Sequence, residues 1–394
     1  MKPINIPSSK SLSNRYLILK YLYSDLKLEN LSTAKDTQIL QKALQTLKQD
    51  KNVYEINIGH AGTAMRFLTA LLSIQTGKKF ILDGSSRMRQ RPISVLVDAL
   101  RQLGADITYL EKEGYPPLLI QGKDFTDNEV SITQNISSQY ISALLLIAPA
   151  LPKGLSIHLK GQQVSKPYVQ MTLQILSRLG VQNNQNKNKI NVFPTPKLTS
   201  TTIKIEGDWS SASYFYGAAA VLKQTLLLQN FKHVSLQGDR FIHQYFEKFG
   251  IKTDFISNKQ ILLTPRPDFK KPDFLKFDLI DTPDLAQTLA VTCLALGIKC
   301  KLTGLQTLKI KETDRLLALK NEMIKLGAKV KINDSELEIL NPVITHTDTI
   351  IKTYDDHRMA MSFAILQILY PAITIEHPDV VVKSFPDFWE KFKF

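Results

Sequence analysis

The sequence predicts an α/β protein of two domains, assembled from a βαβαββ-like unit used several times. Two observations and a length argument carry this. Four places read as the end of an amphipathic helix, then a glycine, then a short pair of strands: Leu103-Gly104-Ala105, Leu179-Gly180-Val181, Phe249-Gly250-Ile251 and Leu326-Gly327-Ala328. The four glycines stand 76, 70 and 77 residues apart, and a recurring interval of that kind is the mark of a repeated supersecondary unit. At 394 residues the chain also exceeds what a single hydrophobic core usually serves.

The elements follow in order. Leu40 to Leu47 reads as a helix that leads, without a glycine, into Val53-Tyr54-Glu55-Ile56. Leu96, Leu100 and Leu103 recur at helical spacing before Gly104, and Ile107-Thr108-Tyr109-Leu110 continues with strand alternation. Glycine between them suits the left-handed cap that ends a helix. The polar run Asn183 to Lys189 reads as a hairpin tip, and Asp208 is placed to cap a helix running through Ala218, Ala219 and Ala220. Met323 and Leu326, followed by Val330-Lys331-Ile332, repeat the pattern near the end of the chain.

Hydrophobic residues make up 43% of the chain, which suits ordinary globular packing. The longest apolar stretch, Ile141 to Leu151, is far shorter than the roughly 20 residues of a spanning helix. Met1-Lys2-Pro3-Ile4-Asn5 carries no apolar signal core, so the expected location is cytoplasmic. Cys293 and Cys300 have neither metal-ligand spacing nor the numbers for a disulfide framework, and are expected to be buried and reduced. The net charge of +14 would permit nucleic acid as a partner. The lysines are scattered, however, without blocks of like charge or interleaved aromatics, so neither nucleic acid nor a membrane is expected. A small polyanion explains the charge as well, because a field of one sign raises its rate of encounter.

Only eleven of the fifty basic residues are arginine, and most of these lie in short polar motifs. Arg15 closes Ser8-Ser9-Lys10-Ser11-Leu12-Ser13-Asn14-Arg15, and Arg66 closes Gly59-His60-Ala61-Gly62-Thr63-Ala64-Met65-Arg66. Arg91 stands in Arg87-Met88-Arg89-Gln90-Arg91-Pro92, Arg315 closes Lys311-Glu312-Thr313-Asp314-Arg315, and Arg358 lies in Asp355-Asp356-His357-Arg358-Met359-Ala360-Met361. A chain that favours lysine elsewhere has arginine where a planar fork can grip a carboxylate or phosphate at two points.

These motifs, with Ser137-Ser138-Gln139, Val164-Ser165-Lys166-Pro167-Tyr168, Pro283-Asp284 and Lys383-Ser384-Phe385-Pro386-Asp387, resemble the 5-enolpyruvylshikimate-3-phosphate (EPSP) synthases, from Lys10 to Lys383. The resemblance implies a two-domain inside-out α/β barrel, each domain built from three βαβαββ repeats. It implies an N-terminal domain over 9–206 and a C-terminal domain over 207–394 plus 1–8, with chain crossings near Ser8 to Ser9 and Ile205 to Asp208 and the active site in the cleft between the domains. The implied activity transfers the enolpyruvyl group of phosphoenolpyruvate to the 5-hydroxyl of shikimate 3-phosphate by addition and elimination. It needs no cofactor and no metal, and the protein would act as a monomer on these two small molecules.

Residue by residue, the resemblance places phosphoenolpyruvate against Lys10, Gly62, Arg91, Gln139, Arg315, Arg358 and Lys383. Shikimate 3-phosphate would meet Lys10, Ser11, Arg15, Ser137, Ser138, Gln139, Ser165, Tyr168, Asp284 and Lys311. Asp284 is the implied base at the hydroxyl, with Lys10 sharing that work, and Glu312 the implied proton donor to the methylene carbon. Taken alone, Ser137-Ser138 reads as a helix cap, Lys311 to Arg315 as a charged helix start, and His357 as a neighbour that orients Arg358. Three positions depart from the family pattern: His60 and Phe67 replace an asparagine and a proline, and Thr307 stands where an asparagine contacts the shikimate phosphate. A sister enolpyruvyl transferase acting on UDP-N-acetylglucosamine is the alternative. It carries a cysteine in a mobile loop and lacks the Ser137-Ser138-Gln139 and Lys311 to Arg315 combinations.

Overall fold

The computed structural model describes residues 2–133, 137–161, 164–199, 201–257 and 259–394. The chain forms two compact units, one of Lys10–Ile205 and one of Met1–Ser9 with Glu206–Phe394.

In the 10–205 unit, strand Val53–Asn57, helix Gly62–Ser73, strand Lys79–Asp83, helix Ser94–Gln102 and strands Asp106–Tyr109 and Leu118–Gln121 follow one another as βαβαββ. The first two strands pair in parallel and the hairpin adds antiparallel. Along Val53–Asn57 buried and exposed residues alternate strictly, as a sheet with one covered face requires. Residues 129–192 repeat the scheme around helices Ser138–Ile147 and Lys166–Arg178. A third, shorter version pairs Thr202–Lys204 in parallel with Lys27–Glu29, beside helices Lys10–Leu22 and Lys35–Thr46.

The 206–394 unit has the same plan. Its first sheet takes Ile4–Asn5 from the start of the chain, parallel to Leu226–Gln229, and closes with the hairpin Ile251–Ser257 and Gln260–Pro265. Its second runs over Phe274–Asp278, Lys299–Thr303, Lys329–Ile332 and Leu337–Asn341. Its third is the short parallel pair Ile350–Ile351 and Thr374–Ile375.

Two of the three expected repeats in each unit are therefore complete and one is truncated. Lys35–Thr46 runs on to Val53, which opens the next sheet, so no hairpin of its own intervenes. In the 206–394 unit the chain after Thr374–Ile375 ends without a hairpin, in packed aromatic rings: Phe388 stacks on Phe392 at 4.8 Å, and Phe215 meets Phe392 at 5.5 Å and Phe385 at 6.1 Å. Strand pairing among the described residues makes six separate sheets and closes no barrel. The polar run from Asn183 is itself the first strand of a hairpin, Asn183–Asn186 with Lys189–Val192, rather than only its tip.

The predicted helix ends are left-handed glycines: Gly104, Gly180, Gly250 and Gly327 all have φ between 75 and 104°. At Gly104 the cap is completed by Ala105 N–H donating to Leu100 O at 3.0 Å, the reach-back bond of a Schellman turn.

The helices divide into two kinds. Those following the first strand of each repeat, such as Gly62–Ser73, Ser138–Ile147, Trp209–Leu222, Ala286–Ala295 and His357–Gln367, are buried on nearly every side. Those following the second, such as Ser94–Gln102 and Arg315–Lys325, bury one face, as an apolar stripe at a 3.6-residue period dictates. Cys293 and Cys300 are both fully buried and free.

Candidate active site

A helix buried all round offers chemistry only at its ends, where backbone N–H groups and the positive end of the dipole favour anions. In the 10–205 unit one arginine links four helices near their starts. Arg15, five residues past Lys10, donates from Nε to Thr172 Oγ1 at 2.8 Å and from Nη2 to Ser142 Oγ at 3.1 Å and Tyr168 O at 3.3 Å. Its Nη1 donates to Ser11 O at 3.0 Å, and its guanidinium lies 5.5 Å from the centre of the Phe67 ring. Phe67, Ser142 and Thr172 each stand four to six residues inside their own helices. Arg15 is thus a buried tie beneath the helix starts, held by neutral partners, and burial lowers its pKa to about 10.

Around these starts stand the other residues singled out in this half. Lys10 Nζ meets Asp36 Oδ2 at 3.1 Å. A Cβ on Gly62 would fall 2.6 Å from Arg91 Nη1 and 3.1 Å from Arg66 Nη1. The room left by Gly62 is therefore filled by arginine, which sets Arg91 against the start of that helix. Arg66 Nη1 donates back to Gly62 O at 3.0 Å, whereas Arg91 Nε is buried without a hydrogen-bond partner among the described residues. Gln139 Nε2 reaches Thr63 Oγ1 at 3.5 Å, joining two helix starts.

Ser137 accepts from Gln139 N–H at 3.3 Å, so the cap expected of it in isolation is made. Ser138 is buried. Ser165 precedes its helix with φ 53° and spends no side-chain bond on a cap. His60 Nδ1 lies 3.1 Å from Ser85 Oγ, and Phe67 serves the buried arginine, which gives that departure a packing reason.

In the 206–394 unit cations and carboxylates interlock. Arg315, as buried as Arg15, donates from Nε to Asp356 Oδ2 at 2.6 Å, from Nη1 to Asp284 Oδ1 at 2.9 Å and from Nη2 to Glu312 Oε2 at 3.0 Å. Arg358 Nη2 donates to Asp284 Oδ2 at 3.0 Å, Lys311 Nζ lies 3.6 Å from Asp284 Oδ1, and Lys383 Nζ donates to Glu312 Oε1 at 2.8 Å. Burial disfavours charge on Arg315, yet Asp356, Glu312 and Asp284 together hold its pKa above the ordinary range. Burial would likewise raise Asp284, but Arg358, Lys311 and Arg315 outweigh it and keep that carboxylate ionised far below the usual range.

Local sequence explains the aim of these groups. Asp314 accepts from Leu316 and Leu317 N–H at 3.1 Å each, and Asp356 accepts from Arg358 N–H at 2.9 Å. Each aspartate starts a helix, so Arg315 and Arg358 sit in the first turn with their side chains at its open end. Asp314 caps the charged helix start expected over Lys311 to Arg315. His357 Nδ1 lies 3.6 Å from Asp356 Oδ1. Thr307 Oγ1 is buried without a hydrogen-bond partner among the described residues.

Motif reading singled out Lys10, Gly62, Gln139 and the serines, which stand at helix starts of the 10–205 unit with Arg91 against the start at Gly62, and Asp284, Lys311, Glu312, Arg315, Arg358 and Lys383, which form one cluster of the 206–394 unit. It missed Asp36, the partner of Lys10, and Asp239. Asp239 is buried, accepts a hydrogen bond from Ser210 Oγ, and has its pKa raised to about 6, by burial first and then by Asp284. Asp356 stands in a motif that assigns it no role, although it is the fully buried carboxylate on which Arg315 rests. Neither Asp36 nor Asp239 carries a signal in the sequence beyond its place in a polar segment at the start of a helix or turn.

Fold and site together define an α/β protein of two repeat-built units, each gathering cations and helix N-termini for anionic groups. The chain belongs to the family described as EPSP synthase (3-phosphoshikimate 1-carboxyvinyltransferase), whose profile matches residues 2–392. A 3-phosphoshikimate 1-carboxyvinyltransferase of Bacteroides fragilis is 44% identical over 99% of this chain and 94% of its own. One from Haemophilus influenzae is 37% identical over 99% and 95%. Among solved structures, EPSP synthase from Acinetobacter baumannii superposes with a TM-score of 0.76 at 20% identity, covering 99% of this chain and 94% of that one. The enolpyruvyl transferase NikO from Streptomyces tendae gives 0.71 at 12% identity, covering 100% and 94%. Both likenesses concern the fold. Among the described residues no helix is long and apolar enough to cross a membrane.

Proposed function

We propose that this protein transfers the carboxyvinyl group of phosphoenolpyruvate to the 5-hydroxyl of shikimate 3-phosphate, releasing phosphate, as a monomeric cytoplasmic enzyme with the two-domain inside-out barrel of its family. One observation carries the chemistry: Asp284 and Glu312 share four cations, Lys311, Arg315, Arg358 and Lys383, drawn from three segments of the chain. A substrate bearing both carboxylate and phosphate can take those cations in exchange for the protein's own carboxylates.

In this reading Arg315, Arg358 and Lys383, with Arg91, Gln139, Lys10 and the helix start at Gly62, hold phosphoenolpyruvate. Ser11, Arg15, Ser137, Ser138, Gln139, Ser165, Tyr168 and Lys311 hold shikimate 3-phosphate. While three cations crowd Asp284 it is a weak base. As the incoming anion draws on Arg315 and Arg358, the Asp284 carboxylate returns towards its ordinary basicity and accepts the proton of the 5-hydroxyl, with Lys10 assisting. The incoming anion draws Arg315 and Lys383 away from Glu312, which then takes up a proton and delivers it to C3 while the hydroxyl oxygen bonds to C2 of phosphoenolpyruvate. The resulting tetrahedral intermediate loses phosphate from C2, which leaves with the proton held by Asp284, and returns a proton from C3 to Glu312, restoring the double bond. The cations stabilise charge as it moves to the leaving phosphate.

The UDP-N-acetylglucosamine alternative finds no support, since Cys293 lies in a buried helix and Cys300 in a buried strand. The test is phosphate release by the purified protein with phosphoenolpyruvate and shikimate 3-phosphate, each omitted in turn, and with UDP-N-acetylglucosamine as a competing acceptor. Release that requires both of the first two supports the proposal, and release with the sugar nucleotide alone overturns it.

A further inference from the structure

Two consecutive residues other than glycine, Tyr354 and Asp355, lie in the left-handed region with φ of 54 and 55°. Such conformations are strained for L-residues and persist only where the surroundings impose them. The pair immediately precedes Asp356, His357 and Arg358, so the turn sets the direction from which Asp356 meets Arg315 and from which Arg358 enters its helix. Asp356 N–H closes the turn on Thr353 O at 2.9 Å, and its entry is held by Glu322, a glutamate of helix Arg315–Lys325 whose side chain is fully buried.

The Glu322 carboxylate accepts from the strand end that enters the turn and from the turn's first residue. Tyr354 Oη donates to Oε1 at 2.5 Å, and Lys352 N–H donates to Oε2 at 3.0 Å. Lys325 Nζ donates to Oε2 at 2.6 Å and balances the charge. Burial and the bond to Glu322 push the Tyr354 hydroxyl up to about 12, so it remains a donor at neutral pH. These hydrogen bonds reach none of the residues of the proposed reaction site, yet Glu322 stands seven residues after Arg315 on the same helix. The brace therefore ties the two segments that carry Arg315 and Arg358 to each other.

We infer that Glu322 and Tyr354 are positioning residues, whose hydrogen bond holds the strained Tyr354–Asp355 turn and thereby aims Asp356, Arg315 and Arg358 at the anionic donor substrate. The inference rests on the function proposed above. It differs from a packing role in being selective, because it acts on the cations assigned to phosphoenolpyruvate and leaves the acceptor's hydroxyl-reading residues of the other unit untouched.

The experiment is steady-state kinetics of Tyr354→Phe and Glu322→Gln, with the KM of each substrate determined separately and thermal unfolding measured alongside. Tyr354→Phe is expected to raise the KM for phosphoenolpyruvate about tenfold while that for shikimate 3-phosphate stays within twofold. Asp355→Gly, which relieves the left-handed strain, is then expected to restore most of the loss when added to Tyr354→Phe. Equal changes in both KM values, or a lower unfolding temperature with unchanged kinetics, would overturn the brace, as would failure of the glycine to rescue. If Glu322→Gln does not fold, Tyr354→Phe and the rescue still decide the matter. Failure of the functional reading is distinct, since the unsubstituted protein would then release no phosphate from the two substrates.

Discussion

Arg15 and Arg315 are equally buried and each lies in the first turns of a helix, yet their surroundings are opposite. Arg15 donates to two hydroxyls and two carbonyls, and its pKa falls to about 10. Arg315 donates to three carboxylates, and its pKa rises. Among the described residues the first arginine has no carboxylate partner, and in the proposed function its charge attracts an anion. The second is neutralised within its own unit, and an anion gains it only by displacing Asp284 or Glu312. In the proposed function one unit is thus prepared for a negative ligand, while the other trades its own carboxylates for one.

The largest expected effect tests that exchange. Asp284→Ala should lower kcat by roughly 10²–10⁴-fold, the range for losing a general base, while calorimetry still detects shikimate 3-phosphate binding. Near-normal turnover would remove Asp284 from the chemistry. Asp356→Ala leaves Arg315 without its fully buried partner and should destabilise the protein by about 3–5 kcal/mol in denaturant unfolding. A loss under about 1 kcal/mol would mean that Asp284 and Glu312 suffice to hold Arg315.

Asp239 sharpens the comparison through pH. Burial, with Asp284 nearby, raises its pKa from 3.8 to about 6. The folded state therefore binds this proton more tightly than the unfolded chain. The associated stability is fully present below about pH 4 and is lost as pH rises through about 6, a change of about 3 kcal/mol. Asp239→Asn should be more stable than the parent at pH 7 and equal to it near pH 4, as denaturation midpoints across that interval would show. Asp284 has the reverse sign, its contribution being present at neutral pH and lost on acidification.

Smaller effects belong to the first unit. Gly62→Ala brings a methyl group to 2.6 Å from Arg91 Nη1. It should raise the KM for phosphoenolpyruvate about tenfold, near 1.4 kcal/mol, with unchanged unfolding temperature. An unaltered KM would mean that Arg91 can shift without consequence. Ser142→Ala removes one of the neutral partners of Arg15 and should cost about 1 kcal/mol of stability. A loss as large as that of Asp356→Ala would erase the distinction between the two arginines.

Much of the repeat architecture is legible in the amino-acid order. The glycine caps can be read because a left-handed residue after an apolar helix demands glycine, and their spacing exposes the repeat. Truncation of one repeat in each unit is not legible, because Val53-Tyr54-Glu55-Ile56 reads as a strand whether it ends one unit or begins the next. Only its pairing with Lys79–Asp83 shows that it begins one. The resemblance sets phosphoenolpyruvate against Gly62, whereas the group that approaches this glycine in the folded chain is Arg91.

The residue types available to grip anions, and the short motifs in which they stand, follow from the sequence alone, because those motifs are local. Asp208 is legible as a cap and Lys311 to Arg315 as a helix start, whereas the capping by Asp314 and Asp356, though equally local, is shown only by the structure. Which charges neutralise one another is instead a property of the folded chain. Arg315 and Asp356 are 41 residues apart, and Arg358 and Asp284 are 74 apart. Whether a buried arginine meets a hydroxyl or a carboxylate depends on packing between repeats, which no local pattern encodes. That packing makes Arg15 an uncompensated cation and Arg315 a compensated one.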